Sequence, residues 1–575
     1  MDHKALYQDW LRRFAADAET VADLQSIAGD EKEIEDRFYT GLSFGTAGLR
    51  GVLGMGTNRM NKYNVRRATM GLAQYLIAHG VQGKGVVIAF DSRIKSDEFA
   101  AEAALTLCAA GVNAYLFDAL RPVPVLSYAV RHLGTAAGIV VTASHNPPQY
   151  NGYKVYGPDG AQLGPEDADE VTKYFNALEY EQCVPMDRQE ALDKGLLHVI
   201  GSKEVDDDYI AMIRTLSVNP DMLQKAGGKL NIVYTPLHGS GNVPVRRMLR
   251  EIGITNVSVV AEQEKPDGRF PTVTAPNPED PAAFKYAIPL AEKVGATVVF
   301  GTDPDCDRMG VAVKDKQGVF HTLTGNQIAC LMLYYILSGK KAQGTLPKNG
   351  AAIKSIVSTE LARRICEDFG VEMHEVLTGF KFIGEKIQQY EETGSNTFLF
   401  GFEESYGYLS GTQVRDKDGV NASLLVCEAA CDCMSRGITL YDQLQELYKK
   451  YGYYREKGVS VTLPGKDGVE KIQSIMTDIR KNPPAALAGK RVLAVRDYKT
   501  GLRTENGRQT ALDYPASNVL YYELEDGCWF CIRPSGTEPK IKVYFSAQAK
   551  TMEEAAAKVD ALQKAFMQIM EPYMK

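Results

Sequence analysis

The sequence predicts an α/β protein of several domains that ends in an α+β domain. Three observations carry this expectation. Short apolar runs alternate with amphipathic stretches from Val65 to Phe400, the pattern of strands and helices taken in turn. After Tyr453 the strand-like runs gather around only two helical stretches. The 575 residues suffice for about four domains at roughly 150 residues each.

Residues 1–40 read as charged helix that caps the fold. Val65–His79 is amphipathic and predicts a helix. Gly85–Phe90 reads as a short buried strand, Glu98–Ala110 as a helix, and Ala114–Phe117 and Gly138–Thr142 as further strands. The order returns with Lys229–Tyr234 as strand, Val243–Ile252 as helix and Ala296–Phe300 as strand. It begins again with the helix Gln327–Leu337, followed by strands near Ala351–Val357 and Thr397–Phe400. One kind of α/β domain used three times would produce this order, although no strong sequence repeat accompanies it. The last segment has strands at Val459–Leu463, Val492–Asp497, Asn518–Leu524, Trp529–Arg533 and Lys540–Phe545, with helices at Gly468–Asn482 and Met552–Met570. The expected domains are 1–200, 201–325, 326–452 and 453–575.

Composition narrows the function. A net charge of −7 argues against nucleic acid as the main partner, because binding a phosphate backbone needs a basic surface. No run of about 18 apolar residues is present, so no membrane span is expected. Residues Met1–Phe14 lack the basic start, apolar run and cleavage site of a signal peptide. The ten cysteines are scattered, and Cys427, Cys431 and Cys433 lie in an apolar helical run that reads as buried core. These features point to a reducing cytoplasm.

Four loops carry chemistry. Thr142-Ala-Ser-His-Asn-Pro-Pro148 follows a strand and exposes Ser144 beside His145, either as a nucleophile, a phosphoryl carrier or merely a capping serine in a turn. Gly301-Thr-Asp-Pro-Asp-Cys-Asp-Arg-Met-Gly310 places Asp303, Asp305 and Asp307 at alternate positions in a loop between apolar flanks. Oxygen ligands without histidine or thiol favour Mg²⁺ over Zn²⁺, and Arg308 adds a cation suited to a phosphoryl oxygen. Gly401-Phe-Glu-Glu-Ser-Tyr-Gly407 offers Glu403, Glu404 and Ser405 to sugar hydroxyls. Arg533-Pro-Ser-Gly-Thr-Glu-Pro-Lys540 has the composition of a phosphate cradle: Arg533, Ser535, Gly536, Thr537 and Lys540. Together the loops fit phosphoryl transfer to and from a sugar phosphate. No GxxxxGK[ST] loop is present, which speaks against an NTP-driven kinase.

On these loops, in this order, the chain resembles the α-D-phosphohexomutase family, which includes phosphoglucomutases and phosphomannomutases. Phe44-Gly-Thr-Ala-Gly-Leu-Arg-Gly51, Asp91-Ser-Arg93 and Thr378-Gly-Phe-Lys-Phe382 match as well, so the resemblance runs from Gly45 to Lys540. YTPLHGSG at 234–241 and KPDGRFPTVTAPNPED at 265–280 look like the branch of bacterial phosphoglucomutases and phosphopentomutase-type enzymes. One position departs: Phe402 stands where the family's sugar loop usually begins with glycine.

The resemblance implies four domains around a central cleft: three similar α/β domains with mixed sheets and a fourth of the TATA-box-binding-protein-like kind. It implies that α-D-glucose 1-phosphate and glucose 6-phosphate are interconverted through a phosphoserine at Ser144 and glucose 1,6-bisphosphate, which also serves as activator. One Mg²⁺ would be held by the Ser144 phosphate, Asp303, Asp305 and Asp307. Arg50, His145 and Lys154 would assist at the catalytic centre. Arg308, Thr378, Gly379, Lys381, Glu403, Glu404 and Ser405 would bind the substrate, and the Arg533–Lys540 loop its phosphate. His145, Lys154 and Lys381 are the candidate bases. The rival sugars are mannose and pentose phosphates, and the rival class is a sugar-phosphate phosphatase.

Overall fold

The computed structural model describes residues 2–45, 48–463, 466–534 and 540–574. The chain divides into two compact units. One comprises the residues up to Ala351 together with Gly379–Leu440, and the other Ala352–Thr378 with the residues from Tyr441 onward.

The first unit opens with three short helices, His3–Arg13, Ala18–Ser26 and Glu31–Phe38, the last two capped by the Asp17 and Asp30 side chains. Their apolar faces close on a small core of Tyr7, Trp10, Leu24, Ile27, Ile34 and Phe38 that also takes in Met55 and Tyr63. The expected capping role of residues 1–40 is thus built as a helical cluster with its own core.

A six-stranded sheet follows. Its strands are β1 (Gly48–Val52), β2 (Val86–Phe90), β3 (Ala114–Phe117), β4 (Ala137–Val141), β5 (Tyr150–Tyr156) and β6 (Leu197–Ile200), in the order β1-β5-β4-β2-β3-β6. From β4 to β6 the strands run parallel, and β5 and β1 are added antiparallel on one edge. The central strands are apolar along their length, because helices cover both faces of a parallel sheet.

The second sheet repeats the plan. Strands β7 (Ile232–Thr235), β8 (Val257–Val259) and β9 (Val298–Thr302) are parallel, and β10 (Met309–Lys314) and β11 (Phe320–Thr322) extend it antiparallel beyond β9. The third α/β portion adds the helices Gly325–Ala342, Phe380–Thr393 and Gly419–Ser435 and the antiparallel pair Thr397–Glu403 and Gly407–Leu409 to this unit. Cys427, Cys431 and Cys433 are buried on the last of these helices, as the apolar run predicts.

In the second unit an antiparallel sheet runs in the order Tyr453–Thr462, Lys540–Ala549, Trp529–Pro534, Leu520–Leu524, Lys490–Asp497, Leu502–Glu505, Arg508–Ala511. The helices Lys466–Lys481 and Met552–Met574 supply Ile472, Ile475, Met476, Val559, Leu562 and Phe566 to the core beneath it. Among the described residues no helix is long and apolar enough to cross a membrane.

The antiparallel strands β1, β5, β10 and β11, and the polar hairpin Leu502–Glu505/Arg508–Ala511, are additions to the predicted elements. Strand β5 carries Asn151-Gly152, normally a turn dipeptide. Here the Asn151 amide donates to the Ile94 carbonyl and to Ser96 Oγ, both at 3.0 Å. Gly152 lets the flanking backbones close in: a Cβ there would lie 2.6 Å from the Thr142 carbonyl oxygen and 3.0 Å from that of Leu49. Gly152→Ala should therefore lower stability by about 1–3 kcal/mol, the usual cost of overpacking. Differential scanning calorimetry should show the transition of the first unit moving down; an unchanged transition would contradict the close approach.

Candidate active site

Three turns of the first unit occupy one topological position. Each leaves the C-terminal end of a strand and returns as its antiparallel neighbour: Thr142–Gln149 between β4 and β5, Asp303–Arg308 between β9 and β10, and Glu404–Tyr406 between the strands of the third pair. Crevices at the carboxyl ends of such strands are where α/β sheets bind ligands. Each turn holds a non-glycine residue in the left-handed region: Ser144 at φ 51°, Cys306 at φ 50° and Tyr406 at φ 63°. Such conformations cost of order 1–3 kcal/mol each and persist only where the surroundings impose them.

The surroundings of Ser144 are specific. Its N–H donates to Thr142 Oγ1 at 2.8 Å, and that hydroxyl donates to Asp91 Oδ2 at 2.6 Å. Asp91 also accepts from the Arg93 N–H and from Ser96 Oγ. The Arg93 guanidinium then grips the loop by its carbonyls, those of Ser144 at 2.6 Å, Pro147 and Tyr150 at 3.0 Å each, and Asn146. Phe270, from the 265–280 stretch, covers the guanidinium with its ring centre 5.0 Å away. The loop is thus held from its backbone, which leaves the serine side chain to reach outward. Ser144 Oγ donates to Asp303 Oδ2 at 2.8 Å and lies 3.1 Å from His145 Nδ1.

The acidic turn is anchored in the same manner. Val123 N–H donates to the Asp305 carbonyl, Ser240 N–H to that of Pro304 and Gly419 N–H to that of Cys306. A Cβ on Gly239 would lie 2.5 Å from Pro304 Cα, and one on Gly419 2.6 Å from the Cys306 oxygen, so both glycines are needed for these approaches. The result is that Asp303, Asp305 and Asp307, all essentially without solvent contact, present oxygens within 4.8 Å of one another.

Asp303 has both carboxylate oxygens committed, and Asp305 and Asp307 one each. Asp303 takes the Ser144 hydroxyl on Oδ2 and the Arg308 N–H on Oδ1. Asp305 Oδ2 meets Lys154 Nζ, and Asp307 Oδ2 meets Lys417 Nζ, both at 3.1 Å. Asp305 Oδ1 and Asp307 Oδ1 are buried with no hydrogen-bond partner. Buried unpaired carboxylate oxygens are costly unless something binds them. Burial, then the charges of Asp305 and Asp307, push the Asp303 carboxyl well above the usual range. Burial acts the same way on Asp307, but Lys417, Lys154 and Arg308 overcome it and hold that carboxyl below its usual range. A compact set of oxygen donors with two vacant lone-pair directions fits a hard divalent cation.

The other candidate residues fall into three groups. Arg50 lies in β1 opposite Gly152 and Lys154 in β5 opposite Gly48, so one ladder positions both. Glu403, at the end of its strand, is buried and accepts the Gly379 N–H at 2.7 Å; burial and neighbouring Glu404 raise its carboxyl above the usual range. Glu404 and Ser405 are half-buried in the turn, and Lys381 is half-buried on the first turn of the helix Phe380–Thr393, with burial lowering its ammonium. Phe402 is a strand residue packed on Phe400, and the turn begins only after Glu403. Thr378, Arg533 and Lys540 belong to the second unit, where Arg533 and Lys540 stand near the ends of the paired strands Trp529–Pro534 and Lys540–Ala549. Ser535, Gly536 and Thr537 lie outside the described residues.

Several residues at the site carried no predicted role. Asp91, Arg93 and Thr142 support Ser144; Lys417, itself paired with Asp416, neutralises Asp307; and Glu279 pairs with the Arg308 guanidinium. Arg415-Asp-Lys-Asp418, alternating charges between an apolar strand and an apolar helix, was the available signal for Lys417, which is buried with Arg415, Asp416 and Asp418.

Comparison with known proteins agrees over almost the whole chain. Residues 41–182, 207–318 and 324–451 match the models of the α/β/α domains I, II and III of phosphoglucomutase/phosphomannomutase, and residues 467–562 match the C-terminal domain. A phosphoglucomutase of Staphylococcus haemolyticus is 38% identical over 91% of this chain and 93% of its own. One from Staphylococcus epidermidis is 37% identical over 95% and 97%. Among solved structures, a phosphoglucomutase/phosphomannomutase family protein of Burkholderia thailandensis aligns with a TM-score of 0.65 at 20% identity, over 92% of this chain and 97% of that one. The parafusin phosphoglucomutase of Paramecium aligns with a TM-score of 0.66 at 17% identity, over 93% and 95%.

The clamp on the Ser144 loop makes a prediction. Lysine at position 93 keeps the charge but not the planar fork that reaches several carbonyls at once. In Arg93→Lys, hydrogen–deuterium exchange of peptides spanning 142–150 should rise while exchange in β2 and β4 stays unchanged. Unaltered exchange in the loop would show that the guanidinium does not hold it.

Proposed function

The chain belongs to the phosphoglucomutase/phosphomannomutase family, and from that premise we propose that it interconverts α-D-glucose 1-phosphate and glucose 6-phosphate through phosphorylated Ser144. The observation that carries this reading is the Ser144 Oγ, 2.8 Å from Asp303 in a strained turn, beside two buried carboxylate oxygens that lack partners. The relatives that are 37–38% identical are named phosphoglucomutases, which favours glucose over mannose or a pentose.

A phosphoserine at this position brings about −1.5 to −2 charges to a cluster that already holds the three aspartates. Asp303, Asp305 and Asp307, with the Ser144 phosphate, would hold one Mg²⁺, which supplies neutralisation of charge on the transferring oxygens. Lys154, Lys417 and Arg308 provide the remaining positive charge, and the first two already face Asp305 and Asp307.

In the first half-reaction the substrate's O6 attacks the Ser144 phosphorus. A new O6–P bond forms, the P–Oγ bond breaks, and the O6 proton passes to a base. The second half-reaction reverses this at the other end of glucose 1,6-bisphosphate: Ser144 Oγ takes the 1-phosphoryl group and glucose 6-phosphate remains. His145 Nδ1, 3.1 Å from the carrier oxygen, and Lys154, paired with Asp305, remain candidate bases together with Lys381. Glu403, preset by the Gly379 N–H, acts with Glu404 and Ser405 on sugar hydroxyls that stay in place when the intermediate turns over. Arg533 and Lys540, with Ser535, Gly536 and Thr537, hold the phosphate that is not reacting. We assign the enzyme to the cytoplasm, in keeping with ten free thiols.

Two measurements test this. Ser144→Ala, assayed with glucose 1-phosphate and catalytic glucose 1,6-bisphosphate, should lose roughly 10³-fold or more of kcat, as enzymes do when the covalent nucleophile is removed. Near-normal turnover would overturn the phosphoserine. Asp305→Asn should raise the Mg²⁺ concentration needed for half-maximal activity, and an unchanged requirement would overturn the ligand set. In both assays release of free phosphate without isomer would identify a phosphatase instead.

A further inference from the structure

Within the acidic turn two buried atoms of opposite charge face each other without bonding. Arg308 Nε and Asp307 Oδ1 are 3.9 Å apart, and neither has a hydrogen-bond partner. A guanidinium and a carboxylate this close would ordinarily collapse into a charge-assisted bond. Here the guanidinium is held at its other edge, where NH1 is bonded to Glu279 Oε1.

Glu279 is itself firmly placed. Its N–H donates to Asn277 Oδ1 at 3.0 Å, and the preceding Pro278 carbonyl lies against Gly310, where a Cβ would come within 2.2 Å of the oxygen. The backbone of Arg308 is fixed from the other side. Its N–H donates to Asp303 Oδ1 at 3.0 Å, and it forms a β-bridge with Gly407. With both main chains fixed, the position of the guanidinium is decided by which carboxylate holds it, Glu279 or Asp307.

We propose that Glu279 is a positioning residue that draws the Arg308 guanidinium away from Asp307 and so keeps Asp307 Oδ1 open for the divalent cation. The proposal rests on the cation assignment made for Asp303, Asp305 and Asp307. Without Glu279, Arg308 Nε closes the gap to Asp307 Oδ1 and competes with the metal for that oxygen. Lys417 does not replace this function, because it is bound to the other oxygen, Oδ2. It also gives a purpose to the Pro278-Glu279-Asp280 end of the 265–280 stretch.

The test is Mg²⁺ binding by isothermal titration calorimetry, without substrate, on the intact protein and three variants. Glu279→Ala should weaken Mg²⁺ binding roughly 10-fold or more, the range typical when an outer partner of a metal ligand is removed. Glu279→Asp should retain most of the affinity. Glu279→Ala combined with Arg308→Met, which removes the competing cation, should recover affinity to the wild-type level or above, a result that general loosening of the turn would not produce. Unchanged affinity in Glu279→Ala, or no recovery in the double variant, overturns the proposal. Failure of the wild-type protein to bind Mg²⁺, or an unaltered affinity in Asp305→Asn run alongside, would instead refute the cation assignment. Glu279→Gln, which keeps the size and one acceptor oxygen, should fall between wild type and Glu279→Ala and serves if the alanine variant does not fold.

Discussion

Three carboxylates buried on one five-residue turn, Asp303 to Asp307, are the constraint around which the first unit is built. Desolvated like charges cannot share so small a space unless cations compensate them. The chain brings compensation from separate places: Lys154 from β5, Lys417 from the segment before the helix Gly419–Ser435, and Arg308 from the turn itself. It still leaves two carboxylate oxygens unpaired, which is the arrangement expected of a site prepared for a further cation rather than of a finished salt-bridge network.

The fold supplies that convergence by repeating one device. A strand ends, a short turn takes a left-handed step, and the chain returns as its antiparallel neighbour. Ser144, Cys306 and Tyr406 mark those steps. The strain is borne by bonds from neighbouring elements: Arg93 and Thr142 for the first turn, Val123, Ser240 and Gly419 for the second, and the Met309 N–H on the Tyr406 carbonyl for the third. Conserving the backbone of each turn while leaving its side chains free lets the same scaffold present a serine, three aspartates and a pair of glutamates to one space. Glycines at 152, 239 and 419 are the places where a side chain would prevent the backbones from meeting.

The elements legible in the sequence include those whose burial is continuous and the amphipathic helices, such as Lys62–Ala78. The strands Val86–Phe90, Ala137–Val141 and Val298–Thr302 are apolar runs, and the helix Gly419–Ser435 is buried along almost its full length. Strand β5 escaped because Asn151-Gly152 imitates a turn, and the hairpin ending at Ala511 because its residues are polar and largely exposed. At the site, Ser144 and the three aspartates were visible through spacing within a single loop. Lys417, Arg93 and Glu279 were not assigned, since each acts on a partner far away in the chain and local pattern carries no record of that pairing. The Asp91-Ser-Arg93 motif was visible, but its purpose, a grip on the carbonyls around Ser144, needs the β2 and β4 neighbours to be seen together.

The central claim is that Ser144 is the residue that carries the phosphoryl group. The most direct measurement is phosphopeptide mapping by tandem mass spectrometry after the protein is incubated with glucose 1,6-bisphosphate and Mg²⁺. The account predicts one phosphoryl group per chain, located on Ser144 and discharged when glucose 1-phosphate is added in excess. Phosphate on a different residue, or a chain that turns over substrate while never carrying phosphate, would contradict it.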